Sequence, residues 1–155
     1  MKKALSVCGI LLCLSLGQVR TASPQGSFDK YLTPADVEKA TGMGGVRLIP
    51  RGSAAGAGGD LNFADGSGEL VLMVQFTDAK NFAAFKAKYA KGAVSGVGDQ
   101  AFEGGSMPGM ADNLVAFSKG THCVVLTAFA DFVNKKVYLT VDQLTALGKV
   151  IASRL

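Results

Sequence analysis

The sequence predicts an α+β domain, a two-layer sandwich in which an antiparallel sheet of about five to six strands has two or three helices packed on one face. Three patterns lead to this fold class. Two apolar, β-branched runs flank a Gly-containing turn between 113 and 129, which is typical of a β-hairpin. Capped amphipathic segments stand near both ends of the chain. The strand patterns come in runs between the helices, which favours antiparallel pairing.

The N-terminal segment has the pattern of a secretory signal peptide. Two lysines precede an apolar run over 4–16 that is too short to span a bilayer. Small residues allow cleavage after Gly17 or after Ser23. We therefore expect 1–23 to hold the signal and 24–155 to form one periplasmic or secreted domain, with no stable membrane span after cleavage. An uncleaved N-terminal anchor is the alternative.

Removal of the signal changes the charge and the cysteine count. The full chain of 155 residues has 16 Lys and Arg against 12 Asp and Glu. Loss of two signal lysines lowers the net charge from +4 to +2, and cleavage after Ser23 also removes Arg20 and leaves +1. So small an excess gives no reason to expect nucleic-acid binding. Only Cys123 remains of three cysteines, so the core must hold the domain together without an internal disulfide.

Three helices are predicted from capping residues and apolar spacing. They cover 34–41, 78–90 and 141–154. Thr33 before the first helix and Thr140 before the third have the position and side chain of an N-cap. In the middle helix, aromatic residues recur at helical spacing and lysines occupy the remaining surface. The helices 78–90 and 141–154 therefore each have one apolar stripe to bury.

Strands are predicted over 46–50, 61–64, 69–77 and 93–102, the last interrupted by glycines. The hairpin follows, with Lys119-Gly120 as its predicted loop. The two faces of the hairpin are both apolar, because side chains alternate along each strand. One face carries Leu114, Ala116, Cys123, Val125 and Phe129. The other carries Val115, Phe117, His122, Val124 and Leu126.

The second of these faces is the predicted partner-binding surface. We expect helices 78–90 and 141–154 to cover the first face together, which leaves Val115, Phe117, His122, Val124 and Leu126 open to solvent. An exposed apolar patch with an aromatic centre is typical of an interface. The alternative is that the N-terminal segment or the 104–112 loop folds over this face and buries it.

Three short motifs carry a resemblance to known domains. They are Leu32–Val37 with Gly42 after it, Val94–Phe102 (VSGVGDQAF), and the tail Leu144–Leu155. On these motifs, residues 30–155 resemble small extracytoplasmic domains of unknown function in bacterial secreted proteins and lipoproteins. They are similar, more distantly, to the external sensor domains of mycobacterial serine/threonine kinases. The resemblance implies an extracytoplasmic binding or interaction module and no catalytic residues. Disulfides are common in those sensor domains, and the single mature cysteine departs from that pattern.

Candidate chemistry is sparse. His122 and Cys123 are neighbours on a strand and point to opposite faces, so they cannot form a nucleophilic dyad, and Cys123 is predicted to be a buried structural thiol. A copper(I) site would need Met107 and Met110 to fold over His122. The loop holds no other ligand for it, and we therefore predict neither a metal site nor a cofactor.

The sequence favours a non-enzymatic binding or interaction domain whose protein or small-molecule partner is unknown. Clustered ionisable residues of the kind that acid–base or nucleophilic catalysis needs cannot be identified in the pattern. Two alternatives stay open. The domain is a carrier of a small apolar ligand held between the sheet and the helices, or it is a hydrolase with a polar cleft that joins His122 to Asp99, Asp112 or Asp131.

Overall fold

The computed structural model describes residues 28–51, 60–105, 113–131 and 136–155. The predicted signal peptide and both cleavage sites lie outside these ranges. The helices are α1 (Pro34–Thr41), α2 (Phe82–Tyr89) and α3 (Val141–Arg154), and a 3₁₀ turn (Ala79–Asn81) leads into α2. None of the helices in the described ranges combines the length and the apolar character that crossing a bilayer requires.

One antiparallel sheet organises the fold, in the strand order β1-β2-β3-β7-β6-β5-β4. Its strands are β1 (Arg47–Leu48), β2 (Leu61–Ala64), β3 (Leu70–Asp78), β4 (Ala90–Val94), β5 (Gln100–Gly104), β6 (Asn113–Lys119) and β7 (His122–Ala128). A separate ribbon pairs β8 (Ala130–Asp131) with β9 (Lys136–Val137). The α+β class and the antiparallel sheet are confirmed. The sheet has seven strands because the predicted strand 93–102 is two strands, β4 and β5, joined by a turn.

Local capping fixes the ends of α1 and α3 where the sequence places them. Thr33 Oγ1 accepts the N–H of Asp36 at 3.3 Å, and the Asp36 carboxylate accepts the Thr33 N–H at 2.9 Å. Thr140 and Gln143 repeat this capping box at the start of α3. Gly42 ends α1 in the left-handed region, with φ of 73°. These contacts involve residues close in sequence, so sequence patterns predict them well.

The register of the β6–β7 hairpin differs from the predicted one. Lys119 pairs with His122 and Phe117 with Val124, so the loop is Gly120-Thr121 and not Lys119-Gly120. Gly120 has φ of 55°, a conformation that glycine adopts at no steric cost and that the first position of this loop requires. The correction moves each cross-strand partner by two residues. The side chains therefore stay on their predicted faces, because the period of a strand is two.

The helices lie on both faces of the sheet, and the prediction that 78–90 and 141–154 share a face is wrong. The core face, as we name it, packs against α1 and α3 and includes Val115 and Phe117. The outer face carries α2, whose Phe82 packs with Phe102, Leu114, Ala116, Cys123 and Val125. Topology explains the difference. The chain must pass from β3 to β4 across three intervening strands, and α2 is that crossover. An apolar stripe requires a face to cover, but it does not specify which one.

The turn between β4 and β5 explains the Val94–Phe102 motif. Val97 is 2% exposed and lies where a Cβ on Gly148 of α3 would come within 3.1 Å of it. Gly98 has φ of 56°, and Asp99 next to it donates its N–H to the Ser118 carbonyl at 2.8 Å. The Asp99 carboxylate accepts the Gly120 N–H at 2.9 Å. The motif therefore ties the β4–β5 turn to the β6–β7 turn and to α3.

Arg154 near the end of α3 joins the two helices of the core face. Its guanidinium donates to both carboxylate oxygens of Asp36 in α1, at 2.7 and 2.9 Å, and to the Tyr31 carbonyl at 3.2 Å. The hydrogen bonds from Arg154 and then those from Thr33 hold the pKa of Asp36 well below its usual range. Since Asp36 also belongs to the capping box, one carboxylate stabilises the start of α1 and its contact with α3.

Candidate functional site

The predicted partner surface is buried in the core. Val115, Phe117, Val124 and Leu126 are each 0% exposed, and α3 packs over them, with Gly148 beside the Phe117 ring. The expectation that this face is open is therefore wrong. α3 takes this face because the crossover helix α2 lies on the other one. His122, the fifth residue of the set, is half-buried at the first position of β7.

Cys123 and His122 do not form a reactive pair. Cys123 lies in the outer-face cluster and is fully buried, and burial raises the pKa of its thiol to about 11. A buried, protonated thiol is a poor nucleophile. The predicted burial of Cys123 is confirmed, and its neighbour His122 points to the opposite face.

The carboxylates predicted for a hydrolase cleft differ in where the structure places them. Asp99 is occupied by its hydrogen bond with the Gly120 N–H. Asp131 lies in β8, beyond the end of β7, whereas His122 is the first residue of β7. Seven residues of strand separate the two ends by roughly 20 Å. Asp112 lies outside the described residues.

The copper(I) alternative cannot be placed in the structure. Met107 and Met110 both lie outside the described residues. Among the residues that are described, His, Cys, Asp and Glu form no group of three that could hold a metal ion.

In the described part of the chain, the outer face carries one short helix, α2. α2 has eight residues and contributes one buried side chain, Phe82, which is 6% exposed. Its other aromatic side chains, Phe85 and Tyr89, are half-buried and pack together at 6.0 Å between ring centroids. Concave surfaces lie on both sides of Phe85. Among the outer-face residues of β3, Gln75 and Thr77 are half-buried beside the helix, whereas Met73 is 1% exposed.

On the β3 side of α2 is a half-polar cavity of about 340 Å³, the amide cavity. Val125, Gln75, Thr77, Asn81 and Phe85 are among its lining residues. Asn81 donates its side-chain N–H to Thr77 Oγ1 at 2.7 Å, which fixes the orientation of the amide. Phe85 supplies apolar surface, and the buried Val125 lies at the floor. An apolar floor with a few oriented polar groups is the usual composition of a ligand pocket.

The outer end of the amide cavity is formed where β2 begins. Asp60 accepts the Phe76 N–H at 2.7 Å through one carboxylate oxygen, so its side chain extends the pairing of β3 beyond β2. The other oxygen accepts from Arg51 at 3.3 Å. Arg51 has 59% of its side chain exposed and Asp60 16%. The carboxylate thus has a structural role, and the exposed Arg51 side chain lines the cavity.

On the other side of Phe85 two adjoining hollows form what we call the lysine groove. The first, of about 260 Å³, is lined by Ala84, Phe85, Lys88 and Tyr89. The second, of about 410 Å³, is lined by Lys88, Tyr89, Ala90, Lys91 and Gly105. Lys88 places its ammonium 5.0 Å from the Tyr89 ring centroid. These lining residues include two lysines and no carboxylate.

The sequence pattern contains the aromatic and lysine residues of this region but does not reveal their exposure. Phe85 and Tyr89 are read correctly as the apolar stripe of a helix. The signal that separates them from Phe82 is the shortness of α2, since this eight-residue helix buries only one of its three aromatic side chains. Comparisons with protein-family models, with curated proteins and with solved structures each find no match to this chain.

Proposed function

We propose that this chain is an extracytoplasmic, non-enzymatic binding domain that takes its ligand or partner on the outer face of the sheet. One observation carries the proposal. α2 leaves Phe85 and Tyr89 half-buried, with the amide cavity on one side and the lysine groove on the other. Partly exposed aromatics that border concave surfaces are the preferred anchors of binding sites.

The chemistry of the individual residues supports binding over catalysis. The thiol of Cys123 is buried with a raised pKa, and the carboxylates of Asp99 and Asp60 hold backbone amides of turns and strand ends. Oriented amides, an exposed guanidinium and aromatic rings instead suit recognition by hydrogen bonding and apolar contact. The signal-peptide pattern and the resemblance to extracytoplasmic sensor domains support the same role and location.

Site-specific photo-crosslinking in the native compartment tests the proposal. A benzophenone side chain is placed at Ala84 on α2, and at Ala146 on α3 as the matched control, because both alanines are exposed on helices. We expect a crosslinked adduct from position 84 and none from position 146. Phe85→Ser in the same chain should abolish the adduct without changing the melting temperature by more than a few degrees. The mass of the adduct separates a protein partner from a small-molecule ligand.

An adduct from position 146 but not from 84 would overturn the proposal, and so would adduct formation at 84 that is unaffected by Phe85→Ser. Absence of any adduct from either position would overturn it as well. Mass analysis of the exported protein checks the location, with a mature N-terminus after Gly17 or Ser23 expected. Retention of the whole precursor in the cytoplasm would contradict an extracytoplasmic role.

A further inference from the structure

The outer edge of β4 is open beside the lysine groove. β4 stands at the end of the strand order and pairs with one neighbour, β5. Ala90, Lys91 and Ala93 are exposed, and Gly92 and Val94 are half-buried. Within the described part of the chain, the outer row of β4 backbone N–H and C=O groups therefore faces solvent. Such a row is a template for another strand.

Positive charge is concentrated on the segment that leads into this edge, and one carboxylate, that of Glu103 in β5, lies against Gly92. The segment 78–91 carries four exposed lysines, at positions 80, 86, 88 and 91, and a single carboxylate, Asp78. Asp78 pairs with Lys80 at 3.4 Å, so Lys86, Lys88 and Lys91 give the segment a net charge of +3. The whole chain has +4, and +2 after the predicted loss of two signal lysines. The net charge of this segment thus exceeds the net charge of the whole predicted mature protein.

This charge selects among possible strands. A second copy of the chain would bring the same lysines together, and like charges facing each other across paired strands are destabilising. An acidic strand would have complementary charge, which increases both the rate and the specificity of association. Lysine and the β-bulge between Ala90 and Gly92 are also devices by which proteins discourage indiscriminate edge pairing.

The groove gives the added strand a place for one apolar side chain. Alternate side chains of a strand beside β4 would project onto the outer face, where Tyr89 and Gly105 border the second hollow. The Lys91 stem lies across Gly105, since a Cβ there would meet Lys91 Cε at 2.2 Å. An aromatic or aliphatic side chain at the middle outer-face position therefore lies between Tyr89 and the lysine stems, and flanking carboxylates reach Lys88 and Lys91.

The shape of α2 favours a peptide over a membrane surface. Its solvent-facing side chains, apart from lysines, are Ala83, Ala84 and Ala87, which are too short to enter the acyl region. The large rings of Phe85 and Tyr89 lie within hollows instead of projecting. Interfacial helices present large apolar side chains outward, so the lysines here serve a partner that enters the groove.

We propose that the β4 edge and the lysine groove bind an extended, acidic segment of another protein by strand addition. The proposal rests on the outer-face binding role and deepens it by naming the class of partner. Backbone hydrogen bonds to β4 supply affinity, and an apolar side chain between two acidic ones supplies selectivity through the groove, Lys88 and Lys91.

The test uses the purified mature domain and a synthetic peptide, acetyl-Glu-Thr-Phe-Thr-Glu-amide, which puts Glu, Phe and Glu on one side of a strand. Amide NMR shifts should appear at 88–94, with a dissociation constant below about 1 mM that weakens with salt. The double change Lys88→Glu and Lys91→Glu should weaken binding at least about tenfold, and Lys149→Glu on α3 should leave it within about twofold. Methylating alternate peptide nitrogens should also weaken it about tenfold, because strand pairing needs those N–H groups.

Equal binding of the N-methylated peptide would overturn strand addition, and so would shifts at another surface or no shifts at 1 mM peptide. Binding of the equivalent peptide with Lys in place of Glu would overturn the charge argument. If the domain associates with phosphatidylglycerol vesicles through Lys88 and Lys91 and does not bind the peptide, the partner is a membrane surface and the proposal of a protein segment is wrong. If the Glu variants fail to fold, the pair Lys88→Gln and Lys91→Gln gives the same comparison. Loss of peptide binding leaves the Ala84 crosslinking result intact, so the two proposals fail separately.

Discussion

Replacement of Gly98 by alanine should be among the most destabilising single-atom additions in the domain. Gly98 has φ of 56° and an added Cβ would lie 2.3 Å from the Ser118 carbonyl oxygen and 2.9 Å from the Phe117 ring. Gly96 in the same turn is a matched control, with φ of 73° and no neighbour closer than 3.7 Å, the Lys149 stem. Alanine is strained in the left-handed conformation at both positions. Only at position 98 does the added Cβ also clash with the backbone of a neighbouring strand.

The expected magnitudes follow from these contacts. The left-handed conformation costs an alanine about 1–2 kcal/mol, which is the whole expected effect of Gly96→Ala. At Gly98 the Ser118 carbonyl must also move away, and it carries the Asp99 N–H bond of 2.8 Å. The displaced turn weakens the Asp99 bond to the Gly120 N–H of 2.9 Å as well. At about 1 kcal/mol for each bond, Gly98→Ala should cost about 3–4 kcal/mol.

Urea denaturation of the two variants beside the unmodified domain measures the difference directly. Gly98→Ala should unfold at a clearly lower urea midpoint than Gly96→Ala, with free energies that differ by about 2 kcal/mol at an unchanged slope. If the two variants lose equal stability within about 0.5 kcal/mol, the close approach does not matter, and the account of the Val94–Phe102 motif as a structural tie is refuted.

Three further outcomes are expected. Phe117→Asp should abolish folding, since the side chain is 0% exposed and an unpaired buried carboxylate costs several kcal/mol; a soluble variant with a normal melting temperature would place Phe117 on a surface after all. Cys123→Ala should cost about 1 kcal/mol, and the native thiol, with its pKa raised to about 11, should react with a thiol reagent only after unfolding, so rapid labelling of the folded protein contradicts its burial. Asp36→Asn should cost about 1–2 kcal/mol at pH 7. Because folding lowers the pKa of Asp36 from 3.8, this difference should persist above about pH 5 and shrink as the pH falls below 3.8; a difference that is constant down to pH 2 argues against the Arg154 contact.

Features that depend on neighbours in sequence can be predicted, and features that depend on topology cannot. The Thr33 cap, the Thr140 cap and the alternation of β6 and β7 are local, so their patterns determine them. The face that α2 covers depends on the strand order, because only a crossover from β3 to β4 sends the helix to the outer face. With both faces of the hairpin apolar, no sequence pattern distinguishes the face that α3 buries from the face that α2 partly covers.

The burial of the predicted partner surface depends on topology in the same way. Phe117 and Phe85 both have aromatic side chains in amphipathic surroundings, and the sequence assigns the first to an exposed face and the second to a buried stripe. The structure buries Phe117 fully, and it leaves Phe85, which does lie on the apolar stripe, half-buried beside two concave surfaces. The length of α2 relative to the width of the sheet decides this, and that width is known only once the strand order is known.

The strand order also has a consequence for the kinetics of folding. β1, β2 and β3 are joined in chain order, as are β4, β5, β6 and β7, so each group is a meander whose pairings close short loops. The seam between β3 and β7 joins residues far apart in sequence, from Leu72 with Ala128 to Asp78 with His122. Closing that seam therefore has the largest entropic cost of loop closure among the strand pairings of the sheet. We expect it to form last, which leaves two strands that are apolar on both faces with open edges in the partly folded chain, at the stage when aggregation competes with folding.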